Sequence, residues 1–227
     1  MADLRTFAQQ QSVNRTDDGH WLALRSLRDG TPITAPWTMA LAMEGRVFGV
    51  QFGDATQDPV GAATFGAGVV DLTELDFLQT IPATVAVIPL YYEISFLAIG
   101  TAAESGMHVV WGSAAVKHAS GITPVAFNLR PGSSITSACT LSALSDTGGT
   151  GITVAGVICS RISTALTGVA GTPAPYVPSW SAACAGFAPV LEGGSGTTRQ
   201  IAAYFPGQAG TGYFVTNYAE LPIAAIS

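Results

Sequence analysis

The chain has 227 residues (23.2 kDa), with Lys+Arg 9 against Asp+Glu 15, a net charge of −6 and 11% charged residues, where an average soluble domain has about 25%. So sparse and acidic a set excludes a grip on nucleic acid, which needs clustered cations facing the phosphates. Val 18, Ile 13 and Thr 24 stand beside Gly 26 and Pro 13, a composition of β-branched residues and turn formers that points to an all-β chain. Surface scaling gives about 9,700 Å² folded against about 33,600 Å² extended, so a core can be buried without disulfides or metals.

A mean hydropathy of +0.39 raises the question of a membrane span. The longest uncharged run, Ile162 to Leu191, is broken by Pro173, Pro175, Pro178 and Pro189, whereas a spanning helix needs about 20 apolar residues in one helix. No span and no secretory signal are expected. Cys139, Cys159 and Cys184 lie too far apart for a Cys-x-x-Cys site; Cys139 and Cys159, among alternating apolar residues, read as small core side chains.

In chain order, the first thirty residues hold eight charges and the run Gln9-Gln10-Gln11, while Ile122 to Ser227 holds six charges. That shift marks residues 1–30 as an N-terminal arm or peripheral segment before a body of residues 31–227; the alternation from His20 to Arg28 reads equally as an edge strand. Trp37 to Met43 and Phe48 to Phe52 alternate around Glu44-Gly45, which predicts a hairpin. Asp54 to Gly68 reads as a long loop. Asp71 to Thr80 predicts a short helix from Leu72, Leu75 and Leu78 at threefold spacing. Val85 to Ala98 predicts one long strand bulged at Pro89. Strands are expected at Met107–Trp111, Pro124–Leu129 and Ile135–Leu144, then at Ile152–Ala165 after a Gly-rich turn. Residues 166–198 read as a long loop anchored by Tyr176, Trp180 and Phe187, with Gly193 to Gly196 a flexible turn. Strands at Arg199–Phe205 and Gly212–Leu221 close the chain. Eight or nine short strands without recurring helices predict an antiparallel β-sandwich.

Chemistry is sparse. His20, His108 and His118 show no triad or zinc spacing, and no nucleophile elbow or phosphate loop occurs. Asp54, Asp58 and Asp71 fall short of the six to eight or so oxygens of a calcium site, and Glu74 with Asp76 read as solvated carboxylates rather than a glycosidase pair. Lys117 is the sole lysine, and nothing around it marks a crosslink. No catalytic residue, metal or cofactor is expected, and the chain is read as not an enzyme. Trp37 and Trp111 occupy apolar strand positions and are expected in the core. Tyr176 and Trp180, near prolines, are expected exposed, and with Tyr213 and Tyr218 are candidates for a sugar-binding face.

The C-terminal run Gly210-Thr211-Gly212-Tyr213-Phe214-Val215-Thr216-Asn217-Tyr218-Ala219-Glu220-Leu221-Pro222 resembles the last strand of viral jelly-roll coat proteins. The wider texture, Ala, Gly, Thr and Ser-rich strands with few lysines, is similar to virion proteins of viruses and bacteriophages. The resemblance implies an eight-stranded jelly roll that builds or decorates a capsid, located in the virion, with copies of itself and other virion proteins as partners. A basic arm is missing, since Asp3, Asp17 and Asp18 offset Arg5 and Arg15; that favours an outer or cementing position over genome contact. Uncharged and apolar, Tyr176, Val177, Trp180 and Phe187 are the expected subunit interface of a trimer, pentamer or larger shell. The alternative is a receptor- or carbohydrate-binding sandwich of a virion spike or fibre.

Overall fold

A computed structural model describes residues 36–54, 65–66, 69–73, 75–98, 104–116, 122–143, 150–164, 177–194, 199–205 and 211–223. The expected arm, His20, Asp58, Glu74, Lys117, His118 and Tyr176 lie outside them. The elements run α1 (Trp37–Met43), β1 (Val47–Asp54), β2 (Phe65–Gly66), β3 (Val69–Val70), β4 (Phe77–Ile81), β5 (Val85–Ala98), β6 (Glu104–Ser113) and β7 (Phe127–Asn128). Next come β8 (Thr140–Ala143), β9 (Thr153–Thr164), β10 (Ser179–Ser181), α2 (Ala182–Ala185), β11 (Leu191–Glu192), β12 (Arg199–Tyr204) and β13 (Thr211–Pro222).

Two antiparallel sheets form a sandwich. The first has the order β10-β5-β13-β1-β7, with β11 also paired to β5; the second runs β8-β4-β12-β6-β9, and β2-β3 is a separate ribbon. Alternation decides which side chains meet between the sheets. Phe48, Val50 and Phe52 of β1, with Phe214 and Tyr218 of β13, face Phe77, Met107, Val109, Ile201 and Ala203 of the second sheet in one buried core. Its centre is aromatic: Phe214 lies 4.7 Å from Phe205, 5.2 Å from Phe52 and 5.3 Å from Phe77, between ring centroids. These tilted contacts suit the ring quadrupoles.

Pro89 acts as its sequence position suggested. Tyr218 pairs with Pro89 and Asn217 with Tyr91, so Leu90 is an extra residue in β5. Val87 and Tyr92, five residues apart, both face the core, which a regular strand of period two forbids. The bulge turns Ile88 and Leu90 to the outer face instead, where they pack with Leu41, Val47, Ala219 and Leu221.

Four expectations fail. The stretch Trp37–Met43 is a helix and not the first arm of a hairpin. Pro36 caps it, its carbonyl accepting from the amides of Met39 and Ala40 at 2.9 and 3.1 Å. Gly45, at φ +72°, ends it: its amide reaches the Ala42 carbonyl and that of Arg46 the Leu41 carbonyl, both at 3.0 Å. That is a Schellman closure, which uses glycine as a helix stop. Asp71–Thr80 is a turn leading into β4. The Asp71 carboxylate accepts from the Thr73 amide and hydroxyl at 2.9 and 2.7 Å, a local bond that competes with helix. Leu75 and Leu78 then fill the outer cluster with Tyr204, while Phe77 and Ile81 enter the core. Pro124–Leu129 and Ile135–Leu144 shrink to β7 and β8, because side chains satisfy their backbone. From residue 177 onward the expected loop carries β10, α2 and β11.

Candidate interaction surface

The sandwich treats its two sides differently. Between β6 and β9 the chain leaves the second sheet and adds one short strand to each sheet on the far side: β7 beside β1 and β8 beside β4. Glu220 of β13, 6% exposed, anchors this excursion. Its carboxylate accepts from the Ser137 hydroxyl, the Ala138 amide at 2.9 Å and the Cys139 amide at 3.4 Å, and the Ser137 and Tyr218 hydroxyls bond at 2.8 Å. Asn128 ties the other half, donating to the Gly45 and Ile135 carbonyls at 2.7 and 2.9 Å. On the opposite side β9 pairs, among the described residues, only with β6, and Ile158 and Ala155 are extra residues at two register shifts. Such bulges blunt a free edge against strand addition.

The outer face of the first sheet presents large apolar side chains. There α1 lies on β1 and β13, burying Leu41 against Val47, Ile88, Ala219 and Leu221. The sequence WTMALAM has no charge, and a helix apolar on all sides asks for cover on all sides. Among the described residues only one side has it: Trp37, Met39 and Met43 are each more than half exposed. Beyond β1, the Phe127 ring lies on bare Gly49, where an added Cβ would stand 2.6 Å from it, and is 49% exposed. Beyond β5, Ala188 packs against the cluster under α1; its chain neighbour Phe187 is 78% exposed, and Val190, just before β11, 50%. Large apolar side chains are thus exposed on β7, on α1 and on the segment before β11. Glu44 and Arg46, at the turn after α1, pair with each other at 3.5 Å.

The expected interface residues divide. Val177 and Phe187 are exposed, whereas Trp180 is 8% exposed and packs on Tyr92 at 5.8 Å, inside the core. Proline neighbours suggested exposure, but β10 pairs with β5 and turns the indole inward. Trp37 reverses the other way, exposed instead of buried. Trp111 is half-buried, with the Arg199 guanidinium 5.6 Å above its ring, and Tyr218 is buried in the core, away from any sugar-binding face.

A depression of about 270 Å³ lies at the β10 edge, lined by Tyr91, Arg161, Ser179, Trp180, Ser181 and Cys184. The Tyr91 hydroxyl donates to Glu93; burial, aided by that carboxylate, pushes its pKa up to about 12.

Asp76, expected in solvent, is wholly buried, and its carboxylate accepts from the Phe205 amide at 2.6 Å. The three cysteines are free thiols; burial pushes Cys159 up to about 12 and raises Cys139 as well. His108 is lowered by burial and lies 6.3 Å from the Tyr204 ring. Among the described residues no three His, Cys, Asp or Glu side chains gather as a metal site, and no helix is long and apolar enough to cross a membrane.

Sequence reasoning missed the exposed helix α1 and the Glu220 anchor. The helix had a signal, an uncharged heptapeptide between Pro36 and Gly45, which are helix start and stop residues. Glu220 had none, since its partners lie more than 80 positions away. Comparison with family models, with curated protein sequences and with solved structures gave no match.

Proposed function

We propose that this chain is a structural subunit of a virus or bacteriophage particle, a jelly roll of shell or decoration type that assembles with copies of itself. Support for the jelly roll comes from strand order. Counting β10 and β11 as one strand, the eight principal strands in sequence are β1, β4, β5, β6, β9, β10/β11, β12 and β13. The first sheet then runs 6-3-8-1 and the second 2-7-4-5. First pairs with last, second with seventh, third with sixth and fourth with fifth, which is one long antiparallel ribbon wrapped into a sandwich. Jelly rolls serve capsids, lectins and cupins alike, so the order does not choose the role.

The observation that carries the role is the exposure of large apolar side chains on a surface with few charges, outside a core that is already filled. A protein that works alone keeps such patches small. Burial of Trp180 removes one of the two loop aromatics of the glycan-binding alternative, and among the described residues the depression beside it offers Tyr91 as a half-buried ring. Electron microscopy of the purified full chain, concentrated in near-physiological salt, tests the proposal. Rings, shells or regular arrays are expected, and a field of isolated particles of about 23 kDa contradicts it.

A further inference from the structure

We infer that the apolar surface around α1, on the outer face of the first sheet, is where two copies of this chain meet, α1 against α1 across a two-fold axis. The inference rests on the self-assembling role proposed above and names the contact that would serve it.

Size is the first argument. Exposed fractions of 51, 49 and 78% for Trp37, Phe127 and Phe187 correspond to about 270–450 Å² at the area an aromatic residue presents, and Met39, Met43 and Val190, at 55, 51 and 50%, add to it. A standard interface buries about 800 Å² on each partner. The exposed aromatics alone therefore supply about a third to a half of one subunit's share.

Composition is the second. Interface centres are rich in aromatic residues and methionine and poor in charge, as α1 and its flanks are. The charges at the end of α1, Glu44 and Arg46, pair with each other, and Arg130 and Glu192 stand at the two flanks, following Phe127 and Val190 in the chain. A two-fold contact centred on α1 therefore keeps its middle free of charge, which suits a second copy of the same surface. In an antiparallel α1–α1 contact the Glu44–Arg46 end of one helix falls beside the Pro36 end of the other, so no like charges are opposed. Elsewhere the exposed apolar side chains are smaller aliphatics: Val125, Ile122, Ile135 and Leu129 on the excursion, and Val154 and Val157 on β9, whose edge two bulges blunt.

The test uses the full chain with Met39→Glu or Phe187→Glu, two exposed positions on different elements. Sedimentation velocity of the unaltered protein is expected to show dimers or larger assemblies. Each variant is expected to raise the dissociation constant at least about 30-fold, the effect of one hot-spot residue, with an unchanged circular dichroism spectrum. Assemblies that survive both substitutions overturn this contact while leaving self-assembly standing. An unaltered protein that stays monomeric overturns both. A benzophenone amino acid at position 39, in a mixture of ¹⁴N- and ¹⁵N-labelled chains, reads the geometry without disrupting it. Mixed-isotope links to residues 37–43 are expected; links to residues 1–35, or none between chains, overturn the assignment.

Discussion

Glu220 turns the only carboxylate of β13 inward, at the rim where the core meets the excursion between β6 and β9. A buried charge is tolerated only when hydrogen bonds replace its water, and here Ser137, Ala138 and Cys139 supply them. Glu220→Gln keeps the shape but sets an NH₂ group against backbone donors. We expect a loss of about 2 kcal/mol, the scale of hydrogen bonds to a charged group, read from urea unfolding; an unchanged midpoint shows that the carboxylate is not the anchor. The tyrosines make a second expectation. Burial raises Tyr92, Tyr204 and Tyr218, so the folded state holds protons that the unfolded chain releases near pH 10 or so. The unfolded state then binds fewer protons, and stability falls as pH rises above about 10. Ultraviolet titration is expected to show these three ionising only together with unfolding; smooth titration of every tyrosine in the folded protein contradicts their burial.

Two elements show where local sequence sufficed and where it did not. Strands β5 and β13 were legible because their alternation coincides with burial between two sheets, and Pro89 announced its own bulge; β12 is buried on both faces and β9 is largely exposed. Trp37–Met43 alternates just as well, yet it lies on the outer face, where one covered side and a glycine stop favour a helix. Alternation alone does not tell an inner strand from such a helix; the capping residues do. Likewise Leu72, Leu75 and Leu78 keep helical spacing by coincidence, because two layers of the fold take up their neighbours alternately. The excursion between β6 and β9 was illegible as non-strand, since long-range partners set its backbone. Of the expected interface residues, Phe187 and Val177 are exposed and Trp180 lies in the core; Met39 was hidden by a hairpin reading and Phe127 by a reading as plain strand. Gly45 tests the helix stop. It has φ +72° with the Ser133 hydroxyl 2.5 Å from where a Cβ would stand, whereas Gly132, at φ +82°, has nothing within 4 Å. Both alanine variants are expected to lose about 1 kcal/mol through backbone strain, and Gly45→Ala more. Equal losses in denaturant melts contradict the packing at the α1–β1 turn.

For the whole molecule, the proposed partner surface is the outer face of the first sheet, where α1 leaves Trp37, Met39 and Met43 exposed. Burial of Trp180 also changes how the interface should be probed. Trp180→Ala is expected to destabilise the fold by about 3–5 kcal/mol through the cavity it leaves, whereas charges at Met39 or Phe187 fall on exposed positions. Self-association is the claim on which the functional reading depends, and the mass of the native protein tests it most directly. Multi-angle light scattering on the purified full chain at micromolar to tens of micromolar concentration is expected to give a multiple of 23.2 kDa that persists on dilution. A monodisperse 23.2 kDa particle across that range contradicts the account.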